Sequence, residues 1–285
     1  MNDEVFLKKG EYIHNVTNEQ GGVIKYYVHN DITSTVNILP IFFHGALDRD
    51  KITLPRYEGI SLFKRLRCPA ISFADPSLDQ NKEITLAWFA GNASFLSLQK
   101  GIHDLLENIA TKTSVRLLLH GGSGGGFAAL TQQYLFGKKT RHMALVQNPQ
   151  TSILRYHKTH IARWLNLFTG DLSNPQEKLN ELGIIHSLRM EDLTNVIYFQ
   201  NASDIFHIKN HLESYMESPL HISNGILFRP GNTFFVGNWG EGHARLPFEF
   251  VRMLISDLIH TKDYYEALQC CCSRFSQLPS PSATA

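Results

Sequence analysis

The sequence predicts an α/β fold in which a mostly parallel sheet carries helices on both faces. Short β-rich apolar runs alternate with longer stretches whose apolar residues recur every three or four positions. Several runs are apolar without interruption, among them Ile38-Leu39-Pro40-Ile41-Phe42-Phe43 and Leu117-Leu118-Leu119, as suits strands covered on both faces. Hydrophobic residues make up 43% of the 285, enough for a sizeable core and too many for a mostly disordered chain.

The elements follow in order. Strands are expected at 23–29, 36–43 and 70–73. A helix is expected at 93–111, where Phe95, Leu98, Ile102, Leu105, Leu106 and Ile109 share one face. A strand at 115–120 leads into a glycine-rich turn and a helical pattern, and a strand at 144–147 follows. Residues 151–192 interrupt the rhythm, and a helical cap over the site would fall there. Strands at 196–200 and 233–237 precede a helix at 246–260 with Phe250, Leu254, Leu258 and Ile259 in register. The Ser-, Pro- and Ala-rich segment 277–285 is expected to fray, leaving 1–276 as a single domain with its cap at 151–192.

Charge and cysteine usage narrow the function. Twenty-seven Lys and Arg against 26 Asp and Glu leave a net charge of +1, so no global basic field exists to attract nucleic acid or an anionic membrane. No run approaches a membrane span, and the first residues lack the apolar core of a signal peptide. Cys68, Cys270, Cys271 and Cys272 make no disulfide framework and read as free thiols of a reduced, cytoplasmic protein.

In parallel sheets ligands bind beyond the carboxyl ends of the strands. There lies Leu119-His120-Gly121-Gly122-Ser123-Gly124-Gly125-Gly126-Phe127, which fits G-x-S-x-G with a strand before it and a helix after it. A nucleophile there needs a strained turn, and its neighbours two positions away need bare backbones so that strand and helix can approach. No Lys-Ser or Lys-Thr follows to make a phosphate-binding loop, and the glycine spacing misses G-x-G-x-x-G.

A serine nucleophile needs a base and an acid to orient it, in the chain order Ser, Asp or Glu, His. Asp204 follows the strand at 196–200, and His243 sits in a glycine-bearing loop after the strand at 233–237. Glu241 shares the loop of His243 and is the weaker acid candidate; Asp192 lies at the wrong end of its strand. His207 and His211 are four apart, but without the glutamate of H-E-x-x-H, so no metal and no cofactor is assigned. The oxyanion would be held by the amides of Gly124 and of Ala46, which follows His44-Gly45 at the end of an early strand. His44, Asp48, Arg49, Trp88, His207 and Trp239 are the candidates for contact with substrate. The cap residues Arg155, Tyr156, His157, His160 and Arg163 read mainly as a solvated helix face.

With these residues the chain resembles the α/β-hydrolase superfamily, from about Val36 to about His260. More narrowly, Phe43-His44-Gly45-Ala46, Ile71-Ser72-Phe73-Ala74-Asp75-Pro76-Ser77-Leu78, Leu86-Ala87-Trp88-Phe89-Ala90-Gly91, Gln147-Asn148-Pro149-Gln150-Thr151 and Gln200-Asn201 through Asp204 and His207 are similar to bacterial hydrolase-like proteins of surface-glycan synthesis. They are similar also to the glycan O-acetyltransferase subunit of the accessory Sec system. The resemblance implies an acyl group on a saccharide as substrate. The expected activity is acyl-ester hydrolysis through an acyl-serine; a sugar hydroxyl in place of water would make the protein an acyltransferase. A degenerate hydrolase fold serving only as a binding module is the non-enzymatic alternative.

Overall fold

The structure, a computed structural model, describes residues 7–16, 22–32, 36–169 and 173–278. Among the described residues nine strands form one sheet: β1 (Gly10–Asn15), β2 (Val23–Val28), β3 (Ile38–Phe43), β4 (Ile71–Ala74), β5 (Arg116–Gly122), β6 (Met143–Gln147), β7 (Val196–Asn201), β8 (Gly225–Arg229) and β9 (Asn232–Gly237). Their spatial order is β1-β2-β4-β3-β5-β6-β7-β9-β8. The block from β4 through β9 is parallel, and β1, β2 and β8 join antiparallel at the two edges. All seven strands expected from sequence are present, within two residues of their expected ends.

The period of two in each central strand builds two cores. From β3, Leu39, Ile41 and Phe43 enter one core while Ile38 and Phe42 enter the other. Leu117 and Leu119 of β5 oppose Leu118, and Val196 and Tyr198 of β7 oppose Ile197 and Phe199. One face is covered by α2 (Leu98–Thr113), α3 (Gly124–Phe136) and, between β6 and β7, α4 (Lys158–Leu165) and α5 (Pro175–Glu181). The other is covered by α1 (Ile60–Leu66), α8 (Phe248–Leu258) and α9 (Tyr264–Phe275). Cys271 lies buried in this second core, where burial raises the pKa of its thiol, and Cys270 and Cys272 are half-buried beside it.

Three features were not legible. Strands β1 and β8 lie at the sheet edges and show half-buried and exposed residues, so neither displays the apolar run of a central strand. The helix expected from residue 93 begins at Leu98, because Asn92 and Phe95 close a tight turn after Gly91, whose φ is +89°. Of the expected tail, Gln277 and Leu278 close α9 through a Leu278 N–H bond to Phe275 O, and 279–285 lie outside the described residues. No helix among the described residues is long and apolar enough to cross a membrane.

Candidate active site

The elbow after β5 has the geometry its sequence demands. Ser123 stands at φ +53° and ψ −123°, a conformation costly for any side chain, between the end of β5 and the start of α3. The turn is tight enough that a Cβ on Gly121 would sit 2.2 Å from the Gly125 carbonyl oxygen. The Ser123 backbone is fixed on both sides: its N–H donates to Gln147 O, and its carbonyl accepts from Gln150 N–H.

Two loops bring the other members together. A short helix α6 (Ile205–His207) starts at Asp204, continues through a π turn (Ile208–Leu212) and ends in α7 (Glu213–Met216). Asp204 is buried; its Oδ1 accepts from His207 N–H at 3.2 Å and stands 3.0 Å from His207 Nδ1. Its Oδ2 is 2.5 Å from Nδ1 of His243, so the bond of His243 to the carboxylate leaves Nε2 free as an acceptor. The rings of His207 and His243 stack at 4.0 Å. Burial alone would raise the Asp204 carboxyl, but hydrogen bonds from His207 and His243 outweigh it and hold the group well below the usual carboxylate range.

The loop carrying His243 is stapled by amide side chains that sequence reasoning passed over. Asn201, the last residue of β7, donates to Gly240 O and Gly242 O and accepts from Trp239 N–H. Asn148 donates to Ala244 O, and Gln147 Oε1 accepts from Leu246 N–H. Their signals in the sequence were their place at the carboxyl ends of β6 and β7 and their presence in the segments that carry the narrower resemblance.

Ser123 and His243 both face a cavity of about 810 Å³, which Gly45, Ala46, Tyr156 and Asn148 also line. Its rim carries Arg56, Lys64 and Arg245 against Glu58, which stands 3.5 Å from Arg56 and 3.6 Å from Arg245. The hydrogen bond to Ser123 Oγ comes from Gln150 Nε2 at 3.0 Å, and none joins that oxygen to His243. A Cβ on Gly45 would come within 3.9 Å of Gly124 N, so the loop holding Ala46 packs against the elbow.

Several candidates for substrate contact take other places. His44 is buried, donates from Nδ1 to Gly45 O and accepts at Nε2 from Asp75 N–H, so it braces the loop. Arg49 is committed to the carbonyls of Leu78 and Ile84, and Asp48 pairs with Lys51. Trp88 is buried against Trp164. Trp239 donates to Ala244 O within its own loop. His207 lies beneath His243, away from solvent.

Asp204, His207 and His243 each offer an atom within 4.8 Å of the others. Both ring nitrogens that face the carboxylate carry protons while they donate to it, so the arrangement is one of paired hydrogen bonds; a metal would have to displace both protons.

Burial holds two histidines beside the elbow, His44 and His120, neutral, with values pushed down to about 4. The unfolded chain takes up these protons near pH 6.5, so their stabilisation is complete above that value. It is lost as pH falls from there towards 4. Each is expected to remove roughly 3 kcal/mol over that window. Urea unfolding midpoints at pH 7 and pH 5 check this, and His120→Asn should flatten the slope.

No family model and no curated protein matches the sequence. In three dimensions the chain is similar to the capsule O-acetyltransferase of Neisseria meningitidis serogroup A, with a TM-score of 0.52 and 13% identity over 96% of each chain. It is similar also to an S-formylglutathione hydrolase from Agrobacterium tumefaciens, with a TM-score of 0.53 and 12% identity over 92% of this chain and 95% of that one. These likenesses show the α/β-hydrolase fold.

Proposed function

We propose that the protein cleaves acyl esters through a covalent acyl-serine. Ser123 is the nucleophile, His243 the base, Asp204 the acid that orients it, and the amides of Gly124 and Ala46 receive the oxyanion. The observation that carries the reading is the 2.5 Å contact between the buried Asp204 carboxylate and His243, at a cavity that also exposes a serine on a strained strand-to-helix turn.

Asp204 fixes the proton of His243 on Nδ1, which leaves Nε2 to take the Ser123 proton as Oγ bonds to the acyl carbon. That bond pushes an electron pair onto the carbonyl oxygen, where the two amides meet it. The tetrahedral centre collapses, the ester C–O bond breaks, and the departing alcohol takes the proton from His243. Water or a sugar hydroxyl then repeats the sequence in reverse. Ser123 Oγ bonds to Gln150 and not to His243, which suits a site whose catalytic contacts tighten on substrate binding.

The cavity bears on substrate size. At about 810 Å³ with a charged rim, it exceeds what a short acyl chain fills, which favours an acylated saccharide or another bulky polar ester. The two named neighbours, an O-acetyltransferase and a hydrolase, span both acceptors, and acyl transfer to a glycan is the second reading. The residues of 151–192, with Tyr156 at the cavity wall, would cap it.

A fluorophosphonate should label Ser123 of the wild-type protein, and labelling should vanish in Ser123→Ala and His243→Ala. Well-folded wild type that remains unlabelled would sink the proposal in favour of a binding module. With labelling in hand, acetyl release from p-nitrophenyl acetate, with and without added oligosaccharide, separates hydrolysis from transfer.

A further inference from the structure

Gln150 is a buried residue that the triad leaves without a task. It is fully enclosed, and its side chain reaches the one atom at which the chemistry starts: Nε2 donates to Ser123 Oγ at 3.0 Å. The Tyr156 side chain also hydrogen-bonds to this amide, and Trp88 sets its orientation. Trp88 Nε1 points at Gln150 Oε1, and an indole N–H can only donate, so the oxygen must face Trp88 and the NH₂ must face Ser123. Trp88 is itself locked, edge to face, against Trp164. The Gln150 backbone N–H donates to the Ser123 carbonyl, so residue and elbow move as one.

We propose that Gln150 is a further catalytic residue, a fixed N–H donor to the nucleophilic oxygen itself, held in that orientation by Trp88. The inference rests on the acyl-serine reading and deepens it. A serine hydroxyl has one proton to give and two lone pairs to fill. Gln150 fills one lone pair and leaves the O–H free to be given to His243. As that proton leaves, Oγ gains negative charge, and a preorganised donor in a water-poor site stabilises the charge without reorganising. During attack Oγ bonds to the acyl carbon, and its charge passes to the carbonyl oxygen. In deacylation the Oγ–acyl bond breaks, charge returns to Oγ, and the same N–H meets it until His243 returns the proton. Gln150 therefore acts at the beginning and at the end of the cycle, on an atom that the Gly124 and Ala46 amides do not serve.

Trp88 is the positioning residue of the pair. Without its N–H the amide is free to turn its oxygen to Ser123. It would then accept the hydroxyl proton in competition with His243.

Three variants test this by the second-order rate of fluorophosphonate labelling and by kcat on p-nitrophenyl acetate. Gln150→Met keeps the length and removes the donor; labelling and kcat should fall about 10- to 100-fold with KM little changed, in line with loss of one preorganised donor. Gln150→Glu places an acceptor beside the oxygen, and burial raises such a carboxyl. Its rate relative to wild type at the same pH should be lowest near neutrality and recover at least about 5-fold towards pH 5, as the protonated acid regains an O–H donor. Trp88→Phe should fall between Gln150→Met and wild type. A purely structural role for Gln150 would not create that pH-dependent recovery.

Two results overturn the proposal: Gln150→Met labelling within twofold of wild type, or a Gln150→Glu ratio flat from pH 5 to 8. Should Gln150→Met fail to fold, the Gln150→Glu ratio decides. Wild type that does not label at Ser123 defeats the acyl-serine reading instead, so the two failures are told apart.

Discussion

Replacing Asp204 by asparagine is expected to lower kcat by roughly 10⁴ while the protein stays folded and KM changes little. The carboxylate has two neighbours, His243 at 2.5 Å and His207 at 3.0 Å, and both rings face it with Nδ1. An amide has one acceptor and one donor end, so it cannot accept from both rings. If its NH₂ turns to His243, Nδ1 must accept, the proton moves to Nε2, and the ring no longer takes the proton of Ser123. If its oxygen turns to His243, the NH₂ meets His207, forcing a tautomer on a buried ring whose Nε2 has no partner. Either way the developing imidazolium loses its counter-charge. The carboxyl is held low, so it is ionised throughout any ordinary assay range. Its stabilising contribution is complete above the unfolded-state value of about 4 and is lost only as pH falls through the lower folded value. Steady-state kinetics on p-nitrophenyl acetate checks the loss. Glu241→Gln, an exposed acid in the same loop as His243, should change kcat less than twofold. Retention of more than a tenth of wild-type kcat by Asp204→Asn would remove Asp204 from its role.

The parts of this site that sequence reasoning reached are those whose chemistry is tied to a local pattern. The strands were legible because β3, β5 and β7 are covered on both faces and carry unbroken apolar runs over most of their length. The elbow was legible because a strained serine needs bare backbones on either side, and that writes glycines into a short window. Asp204 and His243, expected at the ends of particular strands, do come together at 2.5 Å. What was missed depends on contacts made only after folding. Gln150 and Trp88 are 62 residues apart and neither carries a charge; nothing in the two segments says that they meet, and their pairing exists only where the loop after β6 meets the segment that follows β4. Asn201 was read only as the residue that follows the strand at 196–200, whereas it ends β7, bonds to Gly240 and Gly242 and holds the next loop. His44, Arg49 and Trp88, expected as substrate contacts, have partners inside the fold. Polar or aromatic side chains beside a site suggest substrate contact, but here backbone carbonyls, amides and core rings occupy them. A histidine near a nucleophile is as useful for fixing a loop as for meeting a ligand, and only its partners distinguish the two.

The elbow is also where packing and chemistry are least separable, and a single methyl group should expose the connection. Gly121→Ala is expected to destabilise the protein by at least about 3 kcal/mol, at the upper end of what overpacking costs. Its Cβ would lie 2.2 Å from the carbonyl oxygen of Gly125, in the first turn of α3, and backbone there has no rotamer to yield. Relief requires α3 to back away from β5, which drags Phe127 out of the core and pulls the Gly124 amide off the position the oxyanion would occupy. Gly125→Ala meets a similar obstacle, 2.3 Å from Phe43 O on the neighbouring strand. Gly122→Ala, by contrast, would meet the Gln147 side chain at 3.0 Å and the Gln147 carbonyl at 3.4 Å, looser contacts that should cost less than the other two. Urea denaturation should therefore rank the series Gly122→Ala, then Gly125→Ala and Gly121→Ala together. Fluorophosphonate labelling, measured at a temperature where each variant remains folded, should fall in the same order. A Gly121→Ala protein with wild-type midpoint and wild-type labelling would mean that strand and helix do not need this close approach. The strained serine would then have to be held by its backbone bonds to Gln147, Gln150 and Phe127.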